Sequence, residues 1–217
     1  MLNFVEKILN LMYPPVCGIC NKEINTYLCG NCEKEINKNT CVGESVYEDK
    51  YFSSHVYLFK YEGIIRNKII SYKFEDKPYL YKTFCEIFVK NKKVCEFLKS
   101  YDIITSVPMY RKKKNQRGYN QSELIAKEIA KRVENIEYKN KILVKIKNTP
   151  KQSSLNKEQR KENVKNAYIA NNIESINNKK IVIFDDIYTT GATCNECAKT
   201  LIEAGAKSVG ILTIAKD

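Results

Sequence analysis

A chain of 217 residues with 43% hydrophobic content is long enough for one medium domain plus a small appendage, and for a buried core. The 37 Lys and Arg against 25 Asp and Glu leave a net charge of +12, which suits a polyanionic partner or a phosphorylated substrate; a composition rich in Lys, Asn, Ile and Tyr accounts for the same excess without any partner. No apolar run approaches the roughly 20 residues that cross a bilayer, so a spanning helix is excluded.

Met1 to Met12 carries Phe4, Val5, Ile8, Leu9 and Met12, interrupted by Glu6 and Lys7. That pattern predicts a short amphipathic helix, fits a secretory signal poorly, and leads us to expect a cytoplasmic protein with reduced thiols. Residues 14 to 45 form a distinct block with Pro14-Pro15, clustered cysteines and little apolar periodicity, too small to close a core without a staple. Within it, Cys17-x-x-Cys20, eight residues and Cys29-x-x-Cys32 make two knuckles of soft thiolate ligands, the donor set of a structural zinc site. A redox pair or chance spacing is the competing explanation. Gly18 and Gly30 stand where tight turns help. The expected division is a helix and four-cysteine module over 1–45 and a second domain over 46–217.

From Val46 the pattern changes. Val56, Leu58 and Phe59 mark a strand, Glu62 to Lys73 a helix, and residues 79 to 99 place aromatics and lysines at helical spacing. Asp102 to Val107 is a short apolar strand stopped by Pro108, and Gln121 to Val133 a helix with Leu124, Ile125, Ile129 and Val133 on one face. Ile142-Leu143-Val144 is another strand; residues 147 to 166 are polar and basic. Ile181 to Phe184 is a continuous apolar strand of the kind found at the centre of a parallel sheet. Ala192 to Ala204 is a helix ended by Gly205, and Val209 to Ile214 the last strand. Strands alternating with helices predict an α/β fold: a parallel sheet flanked by helices.

Chemistry concentrates in three segments. Ile181-Val-Ile-Phe-Asp-Asp-Ile-Tyr-Thr-Thr-Gly-Ala-Thr193 runs a buried strand into paired carboxylates, Asp185 and Asp186, and then into a small, hydroxylated turn opening a helix. Ligands of open α/β sheets bind at that edge. Thr189, Thr190, Gly191, Ala192 and Thr193 offer free amides, hydroxyls and a helix dipole to a phosphate, while the acids suit sugar hydroxyls or Mg²⁺. An acidic strand end with an ordinary helix cap is the bland alternative. The string resembles the phosphoribosyltransferase signature; by that resemblance Asp185 and Asp186 face the ribose hydroxyls and Thr189 to Thr193 wrap the 5-phosphate.

The second segment, Ser106 to Gln121, is a basic loop at the same edge. Met109, Tyr110 and Arg111 are placed to meet a pyrophosphate, and Arg111 and Arg117 are preferred over Lys because guanidinium binds phosphate through two bonds; a solvated basic turn is the alternative. Asn120 is a candidate helix cap. The third, Asn148 to Asn163, suits either a flap that closes over a charged substrate or a plain disordered linker.

Val107-Pro108, Arg117 to Gln121, then Thr149, Gln152, Leu155, Arg160 and Asn163, with Lys60-Tyr61-Glu62-Gly63 and Lys73-Phe74 upstream, together resemble the ComF family. That resemblance implies a type I phosphoribosyltransferase-like fold with an N-terminal zinc ribbon. It also implies binding of 5-phosphoribosyl-1-pyrophosphate with Mg²⁺, and a role in DNA uptake during natural transformation, with single-stranded DNA and a DNA-uptake helicase as partners. Relatives often carry a further C-x-x-C pair; here Cys41 stands alone, with Glu44 where its partner would be. The catalytic expectation rests on Asp185, Asp186, Arg111 and Arg117, and a metabolic salvage transferase without a DNA role is the alternative. Cys85, Cys95, Cys194 and Cys197 read as core cysteines. His55, the sole histidine, is a weak candidate for a base.

Overall fold

The computed structural model describes residues 15–150 and 156–217; the helix expected over Met1 to Met12, and Gln152 and Leu155 of the third segment, lie outside the described residues. In chain order come α1 (Gly30–Asn39), β1 (Gly43–Val46), β2 (Ser54–Lys60), α2 (Gly63–Phe74), α3 (Leu80–Lys90), α4 (Lys92–Lys99), β3 (Ile103–Ser106), α5 (Arg111–Arg117) and α6 (Gln121–Ala130). β4 (Glu137–Tyr138), β5 (Leu143–Lys145), α7 (Lys157–Val164), β6 (Tyr168–Ala170), α8 (Ile173–Ile176), β7 (Lys180–Tyr188), α9 (Ala192–Glu203) and β8 (Ser208–Lys216) complete it.

Six strands form one sheet in the order β1-β2-β8-β7-β3-β4, parallel except for the β1–β2 edge pair; β5 and β6 make a separate antiparallel ribbon. β7 and β8 are the buried centre, which explains their unbroken apolar runs. Successive side chains of a strand point to opposite faces. On one face Val182 and Phe184 pack against Tyr72 of α2, Phe84 and Phe88 of α3, and Ile125 of α6. On the other, Ile181 and Ile183 pack with Cys194, Cys197 and Leu201 of α9 and with Tyr168 of the ribbon. Each such buried side chain contributes about 1.5–3 kcal/mol.

Several boundaries differ from expectation for local reasons. The stretch 79 to 99 is two helices, broken at Asn91, whose side chain caps α4 by accepting from Val94 N at 3.2 Å. α6 ends at Ala130, although Val133 is still buried. Part of the polar third segment is helical: Asn156 and Gln159 form a reciprocal capping box that starts α7.

The cysteine block is packed onto the sheet domain. Cys17, Leu28 and Ile36 share the cluster that holds Leu80 and Phe84. Gly18 stands in the turn expected there and also serves this packing: a Cβ on it would collide with the Thr83 and Leu80 side chains. Thr83 Oγ1 donates to the Tyr27 carbonyl at 2.8 Å, tying the block to α3. No helix among the described residues is long and apolar enough to cross a membrane.

Candidate phosphate site and metal centre

β7 outruns its neighbour β3. Pairing on that side stops at Ser106 with Phe184, whereas pairing with β8 continues to Tyr188 with Lys216. The next strand in sequence after β7, β8, lies on the side away from β3, so a crevice opens at the strands' carboxyl ends. There a cavity of about 660 Å³ is lined by Asp185, Asp186, Thr189, Gly191, Ala192 and Thr193 on one wall.

The two carboxylates lie within β7 rather than beyond its end, because pairing with β8 carries the strand past them. They differ in environment. Asp186 pairs with Lys73 of α2, Oδ2 to Nζ 2.8 Å, both side chains being largely buried. Asp185 accepts from Ser122 Oγ at 3.2 Å and from the Asp186 amide at 2.9 Å. Burial first, and the neighbouring Asp186 charge second, push the Asp185 carboxyl up to about 7 against the pull of Lys73. Ionisation of Asp185 is therefore something that a bound cation would stabilise.

The turn that follows is built for close approach. Gly191 has φ 72°, the left-handed region, and a Cβ would collide with the Tyr188 hydroxyl. α9 begins at Gly191, which supplies no side-chain cap, and Ala192, Thr193 and Cys194 at its start line the cavity wall. Thr190 does not line the cavity; its Oγ1 accepts from Ala192 N at 3.4 Å, shaping the turn.

Of the basic segment, Met109, Tyr110 and Arg117 reach the cavity, but Arg111 does not; it points outward from the start of α5. Lys113 takes the inward position, its Nζ donating to the Thr149 carbonyl at 2.6 Å. Asn120 caps α6, accepting from Ser122 N at 3.2 Å while its amide donates to the Val107 carbonyl at 3.0 Å. From the third segment, Arg160 on α7 donates to Thr189 Oγ1 at 3.1 Å, and buried Thr149 lines the cavity. Asn163 donates to the Pro150 carbonyl at 3.3 Å instead.

Sequence reasoning passed over Lys145. It sits one strand period beyond buried Leu143, lines the cavity, and lies 5.3 Å from the Tyr168 ring centroid. Burial lowers its pKa. The signal was in the alternation: the residue two beyond Leu143 shares its face. His55 is no base for this site. It is buried in the sheet, stacked on Tyr188 at 4.2 Å, with Nε2 2.8 Å from Thr213 Oγ1. Burial pushes its pKa down to about 3.

Cys17, Cys20, Cys29 and Cys32 come together, with every Sγ within 4.8 Å of the others. A tetrahedral ion with bonds of about 2.3 Å to sulfur sets its ligands about 3.8 Å apart, and Cys20 and Cys29 stand 3.8 Å apart. Amides of Cys29 and Cys32 donate to Cys17 Sγ at 3.4 Å and Cys29 Sγ at 3.5 Å, a shell that favours thiolates. Although burial works to raise it, bonds from the amides of Cys20, Cys29 and Ile19 bring the Cys17 thiol down to about 7. The four thiols could hold a metal ion. Cys41 is not among them. Cys85, Cys194 and Cys197 are buried, and Cys95 is half-buried with Sγ donating to the Val89 carbonyl.

Residues 120–217 match the phosphoribosyl transferase domain family. Competence protein F of Haemophilus influenzae is 27% identical over 93% of this chain and 85% of its own. Competence protein ComFC of Streptococcus pneumoniae is 29% identical over 75% and 68%. DNA utilization protein YhgH of Escherichia coli is 30% identical over 53% of this chain, which spans about half of YhgH's length (49%). Among solved structures, glutamine phosphoribosylpyrophosphate amidotransferase from B. subtilis is similar at a TM-score of 0.44 and 18% identity, covering 66% of this chain and 30% of its own. The chain is thus similar to competence protein F along most of its length, and its sheet edge lies within the stretch that matches the phosphoribosyl transferase domain.

Proposed function

We propose that the cavity binds 5-phosphoribosyl-1-pyrophosphate, with the 5-phosphate on the 189–193 turn and the ribose hydroxyls on Asp185 and Asp186. One observation carries this: the paired acids and the capless helix start line the same cavity as Lys113, Arg117, Lys145 and Arg160. A ligand that is anionic at both ends and hydroxylated in the middle matches that charge order. Met109 and Tyr110 would border the pyrophosphate, with Lys113 and Arg117 supplying positive charge; Arg111 would join only from the cavity's outer edge. Asp185 and Asp186 fit Mg²⁺ as hard oxygen donors, and the ion would neutralise pyrophosphate charge. If the ribosyl group is transferred, positioning and electrostatic stabilisation of the leaving pyrophosphate are what these residues can supply.

The N-terminal block, 1–45, would serve as a zinc module on a transferase-like domain, 46–217. Its four thiols fit zinc's tetrahedral demand, and coordination would supply folding energy there. We place the protein in the cytoplasm, acting in DNA uptake through single-stranded DNA and an uptake helicase. The relatives' names and the charge of +12 favour this over a salvage transferase without a DNA role. Calorimetric titration with phosphoribosyl pyrophosphate and Mg²⁺ is the test. Binding that vanishes in Asp186→Asn supports the site; equal binding in wild type and in the Asp185→Asn/Asp186→Asn double variant removes it.

A further inference from the structure

One wall of the cavity is left over once the sugar phosphate is seated. Opposite the 189–193 turn, the end of α2 presents Ile70, Lys73 and Phe74, with Tyr61 beside them. Phe74 is 63% exposed, an unusual state for a large aromatic at a helix end. The Arg117 guanidinium lies 5.4 Å from its ring centroid, and Arg66 stands likewise 5.9 Å from the Tyr61 ring. Flat rings bordered by guanidinium groups are what bases of single-stranded nucleic acid stack upon.

The same wall continues into a basic track. Arg117 ends α5, and Tyr110 at its start lines both the cavity and a shallow depression formed with Arg111, Lys112, Asn115 and Gln116. Arg111 and Lys112 are exposed and have no carboxylate partner in an ion pair among the described residues; Lys114 is neutralised by Glu123 at 2.6 Å. A free small base would need only the ring. A ring joined to a line of unneutralised cations suits a ligand carrying phosphates at regular intervals outside the cavity.

We infer that a single nucleic-acid strand runs along the exposed face of α5 and stacks one base on the Phe74–Arg117 wall, in the same cavity as the sugar phosphate and on the wall facing it. This rests on the sugar-phosphate assignment only for the identity of the second occupant. The two ligands bind together rather than in competition.

The test uses the full-length protein and a fluorescently labelled 12-mer of deoxythymidine, read by anisotropy with and without phosphoribosyl pyrophosphate. Phe74→Ala lowers oligonucleotide affinity about 5- to 100-fold, and Phe74→Trp restores it. Because Phe74 is exposed, neither change threatens folding. Lys112→Glu flattens the salt dependence by about 0.7 in the log–log slope for each phosphate that the protein no longer neutralises. Calorimetric binding of phosphoribosyl pyrophosphate stays unchanged in Phe74→Ala. Oligonucleotide affinity indifferent to Phe74 overturns the inference, as does displacement of the strand by phosphoribosyl pyrophosphate. So does Phe74-dependent binding of free nucleobases with no binding of the oligonucleotide. Wild-type protein that ignores phosphoribosyl pyrophosphate but binds the strand through Phe74 removes the proposed function and leaves this stacking wall standing.

Discussion

Asp185→Asn should make the unliganded protein more stable, and increasingly so as pH rises. The folded carboxyl sits at about 7, against an ordinary value of 3.8. The native state therefore holds a proton that the unfolded chain has given up, and stability falls as pH climbs from about 4 to about 7. At 1.36 kcal/mol per tenfold change, the ceiling is about 4 kcal/mol. The cavity admits water and Lys73 lies nearby, so about 1–3 kcal/mol is the working figure. Asn keeps an oxygen to accept from Ser122 and from the Asp186 amide. For a chain of 217 residues this raises Tm by about 3–10 °C at pH 8. His55 contributes the opposite trend: held down to about 3 from 6.5, it costs stability as pH falls below 6.5. Both proteins share that slope, so the difference between their unfolding curves, followed from pH 5 to 9, isolates Asp185. The gap should grow about twofold between pH 5 and 8 and then level off. A gap independent of pH, or a variant less stable at pH 8, refutes the electrostatic account.

Lys73→Met removes the partner of Asp186 and a charge that holds Asp185 down. It should destabilise the protein by about 1–3 kcal/mol at pH 8 in urea unfolding, and by less at pH 5, where Asp185 is already protonated and only the pair with Asp186 is lost. Gly191→Ala must adopt φ 72° and collide with Tyr188, so it costs about 1–2 kcal/mol and weakens phosphoribosyl pyrophosphate binding at least tenfold by calorimetry. Cys17→Ser should lower bound zinc per chain, measured by elemental analysis, and drop Tm by at least about 5 °C. His55→Phe should leave stability near neutral pH within about 1 kcal/mol, since Nδ1 is buried without a partner and the ring already stacks on Tyr188.

The apolar strand 181–184, the acids, the glycine turn and the two C-x-x-C knuckles were legible because each is a local pattern with a single physical use. What escaped depended on register and reach. Arg111 and Lys113 are chemically alike in sequence, and only the pitch of α5 turns Lys113 inward and Arg111 outward. Lys73 was seen as part of a string, but its ion pair with Asp186, 113 positions away, follows from how α2 lies on the sheet. Lys145 was hidden by a three-residue strand too short to show alternation convincingly. The turn at Gly18 is legible, but its packing role is not, because the side chains that demand it, Thr83 and Leu80, come from a helix distant in sequence.

That glycine's packing gives the cysteine block a mechanical place in the fold. Cys17, a member of the thiol cluster, is buried in the same cluster as Leu80, Phe84 and Tyr72. Tyr72 precedes Lys73; its hydroxyl donates to the Gln121 carbonyl at 3.0 Å, and its own carbonyl accepts from Tyr119 at 2.8 Å. Knuckle, α3 and the end of α2 thus pack as one continuous unit, ending at the side chains that hold Asp186 and present Phe74. Ordering the block by a bound ion would stiffen that wall, whereas the 189–193 turn rests on α9 and the opposite face of the sheet. Loss of the metal should therefore loosen the Phe74 side of the cavity before it touches the phosphate turn. In hydrogen exchange of the chelated protein, faster exchange confined to α2 and α3 would bear this out. Equal acceleration in α9 would show that the block supports the whole domain and not one wall.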